Sequence, residues 1–249
     1  MAFDLERIDW NKPWLFPVAS LGQRVAKRVQ SGLSVAQALN EAAVRGSACV
    51  TFVPQSALPQ DHAYENFIFE TGNCPTRDGL HDFFNGLMWI SFPNTKKKLN
   101  SLQAEQIRNN GVSQSRGKVR DALTLFDENV AFLRAPDSLW NALKEKDWKA
   151  LFVQRRALWN QSQLILFGHA LLEKLVSPRM DICAHVFRVE SESDDLENID
   201  QWIDSKLSAS LMATKPFIHL PVLGVPGWCK ENESEHFYEN RSVFRFPRK

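Results

Sequence analysis

The chain has 249 residues with 30 basic and 29 acidic side chains, and 44% of it is hydrophobic, which supplies a substantial core and excludes a disordered polymer. Both charge signs are mixed along its length, so no broad field draws nucleic acid or an anionic membrane, and neither is expected as a partner. The first residues hold Asp4 and Glu6 and no apolar run of signal-peptide length, and apolar stretches such as 164–167 fall far short of the roughly 20 residues of a spanning helix, so a soluble cytoplasmic protein is expected.

In chain order, residues 1–20 combine Pro13 and Pro17 with Trp10, Trp14 and Phe16 and read as an extended arm pinned by its rings. Helical spacing covers 21–30 and 34–45, with Ser34 as N-cap and Gly46 as the stop, and 49–53 reads as a strand. A helix over 62–70 ends at Gly72. Another over 77–90 carries Leu80, Phe83, Phe84 and Leu87 on one face, with Asp78, His81, Asp82 and Asn85 on another.

Pro93 ends that helix, and Asn94 or Thr95 caps a further one to 108, followed by a polar loop over 109–118. Residues 121–126 and 131–133, joined across Asp127, Glu128 and Asn129, read as a β-hairpin. Helices follow over 136–143 and 148–160, then a strand over 164–167, a turn at Gly168 and a helix over 169–176. Residues 182–189 form a strand, 190–197 an acidic linker and 199–212 an amphipathic helix. The segment 214–249, rich in proline and aromatic residues, wraps the surface and buries its rings.

These elements predict a single α+β domain over 1–249, mostly helical, with a small sheet from the segments near 50, 123, 131, 165 and 186 and a long irregular C-terminal segment. The scattered Cys49, Cys74, Cys183 and Cys229 lack zinc-ribbon or redox spacing and read as reduced, buried core thiols.

The runs LHDFFNGLMWISFPNTKKKLNSLQ, RGKVRDALTLFDEN, LFVQRRALW, FGHALLEKLVSPR, AHVFRV and LPVLGVPGWCKEN, in this order and spanning roughly residues 60–247, resemble the bacterial family called domain of unknown function 3025, with a family core over 60–213. The resemblance implies kinship and brings no activity, substrate or catalytic residues with it.

The leading site candidates are His81, Asp82, Asn85, Asp121, Asp127 and His169. Offsets of three, four and seven place Asp78, His81, Asp82 and Asn85 on one helical stripe, where Asp82 or Asp78 can orient the imidazole and raise its basicity. The competing reading is a capped helix start with a satisfied histidine. As a strand, 121–127 turns Asp121 and Asp127 to one face and Thr124 and Glu128 to the other; carboxylates there can bind a divalent cation or simply serve the turn. His169 lies at a strand-to-helix junction with Glu173 one turn beyond it.

His185, on a strand face with Cys183, reads as core; Arg155, Arg156 and Arg179 as structural pairing; and Lys96, Lys97 and Lys98 as a solvated helix face. GxSxG, GxxxxGK, GxGxxG and HExxH are absent, and the order of elements around His81 does not fit a nuclease finger.

Two functions stand at this point. The first is a hydrolase in which His81, oriented by a neighbouring aspartate, works with Asp121, Asp127 and His169 to activate water on a small-molecule ligand, with or without a divalent cation. The second is a binding module that uses Trp228, Phe237 and Tyr238 as a contact surface.

Overall fold

The computed structural model describes residues 4–43, 49–110 and 117–245. Its architecture is α+β. The helices are α1 Ala19–Gln30, α2 Val35–Ala42, α3 Tyr64–Thr71, α4 Leu80–Ser91, α5 Pro93–Asn110, α6 Lys118–Asn129, α7 Asp137–Glu145, α8 His169–Lys174, α9 Leu196–Lys206 and α10 Ala209–Ala213. The strands are β1 Thr51–Pro54, β2 Asn73–Thr76, β3 Val130–Arg134, β4 Gln163–Leu166, β5 Cys183–Arg188 and β6 Ile218–Pro221. None of the helices among the described residues is long and apolar enough to cross a membrane.

Four strands form one sheet in the order β4-β3-β5-β6, with β3 and β5 parallel and the outer pairs antiparallel. Successive side chains of a strand face opposite ways, and the sheet divides two hydrophobic cores accordingly. Phe132 and Phe187, register partners on β3 and β5, join the larger core with α4, α6 and α8. Their neighbours Leu133 and Val186 join a second core with Leu220, Leu139, Phe152, Tyr238 and Phe244. The C-terminal segment thus buries Tyr238 and Phe244 and leaves Trp228 and Phe237 half-buried, so it packs the second core more than it presents an aromatic contact surface. Arg156 fastens this segment by donating to the Asn232 carbonyl and the Tyr238 hydroxyl, both at 3.1 Å.

Several local expectations are corrected. The opening arm is not extended: it forms 3-10 turns at Leu5–Arg7 and Pro13–Leu15 that bury Trp14 and Leu15 and leave Phe16 exposed. The segment near 50 stays out of the main sheet, because β1 pairs in parallel with β2. The strand and hairpin over 121–133 are replaced by α6 running straight into β3: Val119, Ala122, Leu123 and Phe126 recur at helical spacing, and the apparent alternation was incidental.

The helix over 199–212 breaks at Leu207 and Ser208, where the Ser208 side chain caps α10. β6 was unforeseen. Ser34 does cap α2 in a reciprocal box with Gln37, and α3 ends on Gly72 at φ +68°; Gly46 and most of the loop over 109–118 lie outside the described residues. Of the cysteines only Cys74 is buried, with Cys183 and Cys229 half-buried and Cys49 exposed.

Candidate functional site

Three helix starts and one helix end converge on one edge of the larger core. The rings of Phe92, Phe126, Phe132 and Phe167 pack beneath them with centroids 5.1 to 5.8 Å apart. Three of these rings adjoin the polar residues above in the chain: Phe92 leads into α5 and Lys96, Phe126 precedes Asp127, and Phe167 precedes Gly168 and His169. Burial of the rings therefore fixes the helix ends that carry the site.

His81, in the first turn of α4, and His169, the first residue of α8, bring their Nε2 atoms to 3.1 Å. Each ring turns its other nitrogen to a carboxylate. Nδ1 of His81 lies 2.9 Å from Glu173 Oε2, and Nδ1 of His169 lies 3.8 Å from Asp127 Oδ2. Glu128 adds a third group on the Nε2 side, 3.6 Å from His169 Nε2. One ligand atom from each of His81, Glu128 and His169 lies within 4.8 Å of the others, the spacing that can hold a metal ion.

Gly168 makes this convergence possible. Its φ of −57° suits any residue, yet a Cβ there would stand 2.5 Å from the backbone of Asn129 and from the Glu128 carbonyl. The turn into α8 lies flat against the end of α6, which sets His169 beside Asp127 and Glu128.

The site grades from dry to wet. The side chains of His169 and Lys96 are 4% and 3% exposed, and those of His81, Glu128 and Glu173 are 36–38% exposed. Burial drives the His169 imidazole down to about 3, against the pull of the Asp127 carboxylate, so this ring is neutral at pH 7. Its buried Nδ1 has no hydrogen-bond partner. Burial pushes the Asp127 carboxyl up, while the Lys96 ammonium paired with it pulls the other way, and the group lies below its ordinary value. Glu128 is raised, chiefly by burial.

Of the residues singled out from the sequence, the fold brings His81, Asp127 and His169 together. Asp82 does not orient His81: its carboxylate is turned away and gripped by Arg77, through the backbone N–H at 2.6 Å and two guanidinium nitrogens at 3.0 Å. Asp78 accepts the Val35 N–H at 2.8 Å and ties α4 to the start of α2. Asn85 is buried between Lys96, whose ammonium it receives at 2.8 Å, and the Tyr64 hydroxyl.

Asp121 is exposed in the first turn of α6, and because the segment is helical it stands roughly 9 Å along the axis from Asp127 instead of sharing a strand face with it. His185 is paired elsewhere, accepting from Asn129 Nδ2 at 2.7 Å with the tilted ring of His219 4.4 Å away between centroids.

Glu128, Glu173 and Lys96 were the residues missed. The spacing Phe92, Lys96, Leu99, Gln103 would have placed Lys96 on the buried face of α5, apart from exposed Lys97. The cap expected from Asn94 or Thr95 comes instead from buried Asp200 of α9, which accepts both of their backbone N–H groups at 2.9 and 2.7 Å.

A family model described as a protein of unknown function, DUF3025, matches residues 50–248. No curated protein and no solved structure matches the chain. The chain belongs to the DUF3025 family, and the matched region contains His81, Lys96, Asp127, Glu128, His169 and Glu173, all the residues that meet at the site.

Proposed function

We propose that the chain is a metal-dependent hydrolase, with one divalent ion of the zinc class bound by His81 Nε2, His169 Nε2 and a Glu128 carboxylate oxygen. The observation that carries this reading is the convergence of ligand atoms from His81, His169 and Glu128 within 4.8 Å of one another, and the proton inventory of two neutral imidazoles supports it. With the Glu173 carboxylate accepting, a neutral His81 ring carries its proton on Nδ1 and presents a lone pair at Nε2. With both rings neutral and no cation, His169 places its single proton on Nε2 to meet His81 at 3.1 Å, which leaves a bare lone pair on buried Nδ1 facing the Asp127 carboxylate. With a cation between the rings both Nε2 lone pairs are used, and Nδ1–H of His169 faces Asp127.

Ligand atoms of a tetrahedral ion with bonds of about 2.0–2.1 Å stand roughly 3.3 Å apart; two of the separations, 3.1 and 3.6 Å, bracket that value, and the third, between His81 and Glu128, is within 4.8 Å, so the partly exposed Glu128 side chain closes on the ion. Glu173 and Asp127 then serve as the outer carboxylates that orient ligating histidines.

Three protein ligands leave one position for water, and the exposed edges of His81 and Glu128 open that position to solvent. A bound ion of this class acidifies its water toward neutrality and polarises the acyl or phosphoryl group that the water attacks. His81, His169 and Glu128 hold the ion against a dry floor, and Glu173 keeps the His81 ring from turning.

Elemental analysis of protein purified without chelator tests the reading, together with chelator-sensitive hydrolysis of aryl esters and aryl phosphodiesters. One zinc-class ion per chain is expected, lost in His81→Ala and in His169→Ala. Failure of the wild-type chain to bind zinc at equimolar concentration overturns it.

A further inference from the structure

We infer that Lys96 is a positioning residue of this centre, one that holds the Asp127 carboxylate where it keeps the His169 ring turned with Nε2 toward the ion. The inference rests on the metal-site reading above. Its ground is the way Lys96 is built in. An ammonium is strongly hydrated and costly to bury unless it is fully paired, yet this side chain is 3% exposed. Its Nζ donates to Asp127 Oδ1 at 2.5 Å and to Asn85 Oδ1 at 2.8 Å, and it lies 5.1 Å from the centre of the Trp89 ring.

The two oxygens of Asp127 are thus divided. Oδ1 is held by Lys96, and Oδ2 faces Nδ1 of His169. A carboxylate gripped at one oxygen cannot rotate freely, so the lysine sets the direction from which the other oxygen meets the ring. The grip is itself anchored from behind: Asn85 donates to the Tyr64 hydroxyl at 3.2 Å, and that hydroxyl lies 3.3 Å from the Cys74 thiol.

Stability of the helix start does not account for this lysine. Asp200 already satisfies the first N–H groups of α5, and Lys97, next in the chain, is exposed. What distinguishes Lys96 is contact with the carboxylate that stands behind His169.

Lys96→Met alone would strand a buried carboxylate and is expected to melt early, so the pair is tested by Lys96→Met with Asp127→Asn, which removes both charges together, and the lysine itself by Lys96→Arg, which leaves Asp127 in place and is expected to weaken binding. Cobalt(II) titration followed by visible absorption, with melting curves alongside, gives the readout. The double variant is expected to fold and to bind one cobalt ion roughly ten- to a hundredfold more weakly than wild type, the range found when outer carboxylates of metal-ligating histidines are lost. Wild-type affinity and an unchanged spectrum in that variant would reduce Lys96 to a structural pair and overturn the inference alone. Absence of cobalt binding by the wild-type chain would overturn the metal site and this inference with it. Lys96→Arg is read by the same titration, whether or not the double variant folds: weaker binding supports the inference, and unchanged binding defeats it.

Discussion

Glu173 on α8 holds Nδ1 of His81 on α4 at 2.9 Å, across 92 residues of chain, whereas Asp82, next to His81 in sequence, faces away and is held by Arg77. The orientation of the histidine is therefore a tertiary property. It depends on α4 packing against α8, and the nearest carboxylate in sequence has a different task.

Glu173→Gln should weaken metal binding by roughly ten- to a hundredfold while the protein stays folded. The side chain is partly exposed, so the amide costs little stability, but it no longer raises the basicity of the His81 ring. Isothermal titration with zinc checks this. An affinity equal to wild type would show that Glu173 does not support a ligating histidine.

Asp82→Ala should do the opposite, lowering stability without removing the metal. It strips a buried carboxylate from the Arg77 backbone N–H and guanidinium, a loss of about 1.5–3 kcal/mol for hydrogen bonds to a charged group. Urea denaturation should give a lower midpoint with an unchanged slope, and metal analysis should still give one ion per chain. Metal loss in a well-folded Asp82→Ala protein would return this aspartate to the site.

Much of this arrangement is legible in the chain. The apolar face Leu80, Phe83, Phe84 and Leu87 announces α4 and sets His81 apart on its polar edge, and Gly168 between an apolar strand and a helical run places His169 at a junction. Over 121–127 the sequence mimics a strand although it is helical, and a strand there turns Glu128 away from Asp127 and puts Asp121 on the same face as Asp127. Lys96 was hidden inside a lysine triplet, where composition suggests solvent although the position faces the core. The pairing of Glu173 with His81 has no local signal, since it exists only once two helices dock.

Gly168→Ala should destabilise the fold and the site together. The added methyl would meet backbone atoms of Glu128 and Asn129 at 2.5 Å, and backbone cannot swing aside as a side chain can. Overpacking of this kind costs about 1–3 kcal/mol, and relief by shifting α8 would carry His169 away from Glu128. Thermal melting and zinc titration on the same sample should show both losses. A variant with wild-type melting and wild-type affinity would contradict the close approach of these two segments.

Stability of the metal-free protein should fall as pH drops through the histidine range, and His185 should account for part of that fall. Burial, aided by the charges of His219 and Lys174, brings His185 down to about 4 from an ordinary value near 6.5. Between those two values the unfolded chain binds the proton and the folded chain does not, so the stability present above about pH 6.5 is lost progressively toward pH 4. Asn129 reinforces the neutral ring by donating to its Nδ1. His169, brought down to about 3 by burial, adds a loss of the same sign, so the comparison needs a variant at His185 alone. His185→Gln removes one titrating group and keeps an acceptor for Asn129, and its melting temperature between pH 7 and pH 5 should decline a few degrees less than that of the wild type. An equal decline in the two proteins would mean that His185 titrates in the fold as it does in the unfolded chain.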